Sequence, residues 1–225
     1  MSQRADNQNF FPVSAALVQN LNSDWRALAG EFSVDDKAAR TVFGFLLDRY
    51  SEKHRFYHNL SHVKALLISA SDFKENFSDY DCVGLAIWLH DAIYEPQRND
   101  NEIRRAKLAA ESLSGLGLTE NKIQKVEKMI LATERHQAAR LDFDGKLFLD
   151  LDLAILGAGE EIYKKYSAAI GREYSFVPQA LYFQGRKKIL ENFLRREFIY
   201  FTVEMRGRFE APARFNIENE IKELS

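Results

Sequence analysis

Proline and cysteine are scarce in this chain: four prolines and a single cysteine, Cys82, among 225 residues. One thiol cannot form a disulfide within the chain, so a cross-linked scaffold is excluded and a reducing compartment is the expectation. No Gly/Ser-rich linker, low-complexity stretch or internal repeat divides the sequence. Charge of one sign is also lacking, with 31 Lys and Arg against 33 Asp and Glu and a formal net charge of −2. A binder of long nucleic acid is expected to carry a basic excess or stripe, and none is present. Long apolar runs are missing too. Residues 83–89 form the longest near the middle of the chain, far too short for a bilayer. The first fourteen residues contain no apolar segment of the kind a secretory signal needs. These absences predict a cytoplasmic protein with no membrane association.

What is present is apolar and helical in rhythm. Hydrophobic residues make up 46% of the chain, with 17 Phe and 9 Tyr, enough to build one large domain over 1–225. Apolar positions recur at helical rather than alternating spacing in almost every segment. Helices are expected at 13–28, 35–50 (capped by Ser33 or Asp35), 58–77, 81–94, from about 101 to 113, and 120–136 behind Thr119. More are expected from about 146, at 160–174, at 186–205, and at 213–224 past Pro212. No stretch reads as a strand. The expected fold is all-α, a bundle of about nine or ten helices.

Only five histidines occur: His54, His58, His62, His90 and His136. His58 and His62 stand four apart, so on a helix they share a face. His90-Asp91 closes the very apolar segment that contains Trp88, where a polar pair needs a partner or a cation. Asp150 and Asp152 interrupt a third apolar segment, 148–157, and at least one of them should face something positive. Together the three elements offer two imidazole nitrogens and two carboxylate oxygens to one divalent ion, with positions left open for water. That donor mix suits Mn, Fe, Mg, Ni or Zn. A closed structural zinc site would prefer four Cys or His ligands, so an open, working site is expected.

The order His62, His90-Asp91, Asp152 resembles the HD superfamily of metal-dependent phosphohydrolases. The closer resemblance is to a bacterial branch of it known only as predicted phosphohydrolases. Its pattern matches Arg55-x-Tyr57-His58-Asn59-x-x-His62, Trp88-x-His90-Asp91-x-x-Tyr94, Asp100-Asn101-Glu102, Thr133-x-x-His136 and Asp150-x-Asp152-Leu153-x-Ile155-Leu156-Gly157. Further matches are Tyr163-x-x-Tyr166, Glu173-Tyr174, Gly185-Arg186 and Ala213-Arg214-x-Asn216, so the likeness spans roughly residues 42–220. The His58-Asn59-x-x-His62 spacing is also similar to the signature of cyclic-nucleotide phosphodiesterases.

The resemblance implies an HD-type helical domain with its body at about 42–205 and the terminal helices packed on it. It implies a phosphatase or phosphodiesterase that hydrolyses a small phosphorylated compound, such as a nucleotide, through a metal-activated water. The implied metal ligands are His62, His90, Asp91 and Asp152, with Asp150 competing for the last position. His58 becomes a candidate general acid. Glu102 is a candidate for orienting water, with Glu95 a weaker one, and His136 could touch substrate or a second metal. Arg55 and Asn59 are the candidate substrate-binding residues, Arg55 through a phosphate oxygen, while Arg186 and Arg214 are expected in structural pairs. Two other readings keep the scaffold: a nucleotide-binding sensor without turnover, and a di-iron oxygenase needing further histidines. A homo-oligomer is compatible with the apolar helix faces.

Overall fold

The computed structural model describes residues 10–224 and contains no strand among them. Ten α-helices follow in order: α1 (Ala15–Glu31), α2 (Asp36–Tyr50), α3 (Leu60–Asp72), α4 (Tyr80–Leu89), α5 (Asn101–Gly115), α6 (Glu120–Ala132), α7 (Phe143–Asp152), α8 (Glu160–Glu173), α9 (Gln179–Leu194) and α10 (Val203–Glu223). Short 3-10 segments follow α3 and α7, at Lys74–Asn76 and Leu153–Gly157.

The architecture is organised by α4. Every residue from Cys82 to Leu89 is buried, as expected of a helix that is apolar all round. Helices α1, α3, α5, α6 and α7 all pack on it. Trp88 sits in edge contact with Trp25 at 5.5 Å and Phe43 at 6.1 Å, and each such fully buried side chain stabilises the fold by roughly 1.5–3 kcal/mol. The consequence for function is positional: the residues just after Leu89 emerge inside the protein rather than on its surface.

Helices α8 to α10 complete the molecule. Helix α10 lies along the Leu153–Gly157 segment. The two approach so closely at Gly157 that a Cβ there would meet the Phe209 carbonyl oxygen and Cβ at 2.8 Å. Buried apolar side chains from all ten helices, from Leu21 to Ile217, form one contiguous core. No helix among the described residues is long and apolar enough to cross a membrane.

Several boundaries differ from the periodic reading, each for a tertiary reason. Helix α4 stops at Leu89 rather than near Tyr94. The Ile87 carbonyl accepts from His90 Nδ1 at 2.9 Å and the Trp88 carbonyl from Tyr50 OH at 3.0 Å. Arg55 and Arg105 then take the carbonyls of Asp91, Ala92 and Ile93, so the backbone has no call for helical bonds. Helix α6 ends at Ala132, short of His136, and α7 begins at Phe143, with Asp142 accepting from Gly145 N at 2.9 Å.

The largest difference is at the C-terminal end. In place of one helix over 186–205 and another after Pro212, α9 ends at Leu194, and α10 runs through Pro212. The break between them is held by two distant carboxylates. Glu210 accepts from Ile199 N at 3.0 Å, and Asp150 accepts from Phe201 N and Thr202 N at 2.7 Å each.

Candidate metal centre and its cavity

His62 is the third residue of α3, whose start is fixed by Asn59: its Oδ1 accepts from Ser61 N at 2.8 Å. His90 is the C-cap of α4, Asp91 follows it, and Asp152 is the last residue of α7. Three helix ends thus deliver four donors to one buried point. The ligand atoms of His62, His90 and Asp152 lie within 4.8 Å of one another. The two Nε2 atoms face each other at 3.2 Å, with Asp152 Oδ1 at 3.2 Å from His62 and 3.6 Å from His90. Asp91 Oδ2 adjoins both rings, at 3.1 Å from His90 and 3.6 Å from His62.

The donor set fits a cation. A carbonyl can only accept, so the Ile87 oxygen requires the proton of His90 to sit on Nδ1. The neutral ring then presents the Nε2 lone pair to the cluster, the tautomer that metal ligation needs. Electrostatics point the same way. Burial opposes every charge here, yet His90 and Arg105 hold the Asp91 carboxyl well below the usual range. Hydrogen bonds from His136, His62 and His90 do the same for Asp152, again against burial. In the ion-free state burial pulls the His62 pKa down, while at His90 the two aspartates outweigh burial and push it up to about 10.

The groups around the cluster orient it. Arg105 Nη2 pairs with Asp91 Oδ1 at 3.1 Å, and its Nη1 meets Glu102 at 3.2 Å. His136 Nε2 bonds Asp152 Oδ2 at 3.0 Å from a residue with φ +46°, a strained conformation of the kind that functional sites retain. Asp150 is kept from the cluster because its carboxylate holds the turn before α10: besides the two backbone N–H groups it accepts Thr202 Oγ1 at 2.7 Å.

His58 stands beside the cluster under the control of Glu173. Glu173 Oε1 accepts three consecutive backbone N–H groups, those of Phe56, Tyr57 and His58, at 2.7–2.9 Å. Its Oε2 meets His58 Nδ1 at 2.6 Å and accepts from Tyr94 OH at 2.9 Å. Burial would lower the His58 pKa, but Glu173 and Asp91 prevail and raise it above 6.5. The Glu173 carboxyl is held low by the same contact with His58 and by the backbone bonds, against its burial.

A cavity of about 870 Å³ opens above these groups, within the range of small-molecule sites. His58, His90, Asp91, Glu102, Arg105, His136 and Asp152 all line it. Arg55 and Asn59 do not, and the reason is that their polar atoms are spent on the fold. The Arg55 side chain is 0% exposed and bonds Glu52 and the carbonyls of His58, Asp91 and Ala92. Asn59 caps α3 and donates to the Phe11 carbonyl at 3.2 Å. Both are tied instead to the loops that carry His58 and His90-Asp91. Glu95 is turned to an exposed pair with Arg104 at 2.7 Å. Arg186 and Arg214 pair with Glu220 and Glu210, each at 2.8 Å.

No family model, curated protein or solved structure matches this chain. The site is therefore read from its own geometry. Of the histidines outside the cluster, His54 bonds the Tyr94 carbonyl, His58 bonds Glu173 and lies edge-on to the His62 ring at 5.9 Å, and His136 bonds Asp152.

Two organising residues, Glu173 and Arg105, received no role from the sequence. Each carries a signal in hindsight. Glu173 falls in register with the buried face of α8, Tyr163, Tyr166 and Ile170, and Arg105 with that of α5, Asn101, Ala109 and Leu113. A charge on a buried stripe needs a partner.

Proposed function

We propose that this chain is a metal-dependent phosphohydrolase acting on a small phosphate ester. The observation that carries the proposal is the convergence of His62, His90, Asp91 and Asp152 from separate helix ends on one buried point, with His90, Asp91 and Asp152 lining the cavity. A divalent cation held by these residues (Mn, Fe, Mg, Ni or Zn) would supply a Lewis acid to the phosphoryl oxygens and lower the pKa of water at its open positions. The remaining tasks belong to the chain. Glu173 fixes His58 through Nδ1 and keeps the ring protonated to higher pH, which leaves Nε2 to give a proton to the leaving oxygen. Arg105 and His136 hold the second oxygens of Asp91 and Asp152, so neither carboxylate can rotate away from the cluster. Glu102, on the cavity wall and tied to Arg105, is placed to orient water.

The test is to strip the protein with a chelator, reload it with each of the five ions, and screen phosphomonoesters and phosphodiesters. At least one ion should restore turnover. His58→Ala should then lower kcat by roughly 10²–10⁴-fold while the ion content stays that of the wild type. Absence of turnover with every ion and ester class would overturn the proposal.

A further inference from the structure

The cavity is much larger than a phosphoryl group requires, and its outer part has a different chemistry from its floor. Leu181, Gly185 and Ile189 line it at spacings of four along α9, so they form one stripe of that helix. Facing chain contributes Ile170, Tyr174 and Val177. Leu181 and Ile189 are 58% and 51% exposed, apolar area that nothing in the fold covers.

Gly185 is the one member of the stripe without a side chain. Glycine inside a helix costs about 1 kcal/mol relative to alanine, so it is usually kept for a close approach or an unusual φ. Here neither applies: a Cβ on Gly185 would meet nothing within 4 Å, and its φ is not in the left-handed region. What the missing side chain provides is open space in the cavity wall, between two apolar residues.

We propose that the outer cavity is the binding site for the organic part of the substrate, and that this part is a bulky apolar group, aryl or branched alkyl. The inference rests on the reading of the floor as a phosphoryl site. The occupant follows from continuity: this apolar surface and the His58 and Asp152 side chains line one and the same cavity, so an apolar group attached to a phosphoryl group at the floor finds its apolar cover along α9. The same cavity also carries Gln137, Asn192 and Arg196, so a polar substituent on the apolar group would find partners there, while a hydroxyl set against Leu181 and Ile189 would not.

The experiment is calorimetric binding of non-hydrolysable phosphonates to the purified protein: 2-naphthylmethylphosphonate, methylphosphonate and, as a nucleotide competitor, the phosphonate analogue of adenosine 5′-monophosphate. The naphthyl compound should bind at least about a hundredfold more tightly than methylphosphonate. Gly185→Leu, a substitution that favours the helix, should reduce that ratio by about tenfold or more, because the new side chain fills the gap. Ile189→Asp, at an exposed position, should reduce it as well. A ratio below about threefold in the wild type, a ratio unchanged in both variants, or tighter binding of the nucleotide than of the naphthyl compound would overturn the inference. Failure of the underlying reading looks different. In that case 2-naphthylmethanol would bind as tightly as its phosphonate, and no phosphoester would be turned over.

Discussion

Replacing Glu173 by glutamine tests how the site controls its proton donor. Five donors converge on this one carboxylate: three backbone N–H groups, His58 Nδ1 and Tyr94 OH. Hydrogen bonds to a charged acceptor contribute about 1.5–3 kcal/mol each, against about 0.5–1.5 for neutral ones. Removing the charge weakens all five and sets an amide N–H₂ against His58 or Tyr94, while the relief of burying a carboxylate returns part of the loss. The expected net destabilisation is about 2–4 kcal/mol, measured by urea unfolding. The pH dependence has a definite sign. The folded-state pKa of His58 is raised, so its contribution is fully present below the unfolded value and disappears as pH rises through the folded value. The gap between wild type and Glu173→Gln should therefore be wider at pH 6 than at pH 9. In turnover, the descending limb of kcat, set by the loss of the proton from His58, should lie above pH 6.5. In the variant it should move acidward by about one unit or more, because burial would act without its main opponent. A folded variant with an unshifted limb would refute the assignment of His58 as the acid and Glu173 as its positioning group.

Two further substitutions separate structural from functional roles. Asp150→Ala removes the acceptor of two backbone N–H groups and the Thr202 hydroxyl; it should cost about 2–4 kcal/mol in unfolding free energy and leave metal content unchanged. Arg55→Met leaves the carbonyls of His58, Asp91 and Ala92 without this donor; stability should fall by about 2–4 kcal/mol, with KM for a phosphoester within about twofold. A raised KM at undiminished stability would instead restore Arg55 as a phosphate ligand.

The all-helical architecture was legible because most helices announce themselves by apolar spacing and by local caps such as Asp35, which accepts from Lys37 N and Ala38 N. The cluster was legible because its members are rare, and because each stands in or beside an apolar segment where an unpaired polar group is costly. Other features depend on partners far along the chain. The break at 195–202 is written by Asp150 and Glu210, and no window around Leu194 contains that information. Arg55 read as a candidate phosphate ligand because the carbonyls that it binds lie 36 and 37 residues away. The choice between Asp150 and Asp152 was open in sequence, since two residues apart on a short helix gives different faces but no indication of which faces inward to the cluster. The structure separates them by partner: Phe201 and Thr202 for Asp150, and His62, His90 and His136 for Asp152. Only the short α7, ending at Asp152, places the latter at the cluster.

The central claim, that four side chains form a metal site, is tested most directly by elemental analysis of protein purified without chelator, the wild type beside Asp152→Asn. The substitution preserves shape and removes the charge that both histidines face. The account predicts about one divalent ion per chain in the wild type and its loss in the variant, with the helical content of the two unchanged. No ion in the wild type after reloading, or the same ion content in both proteins, would contradict it.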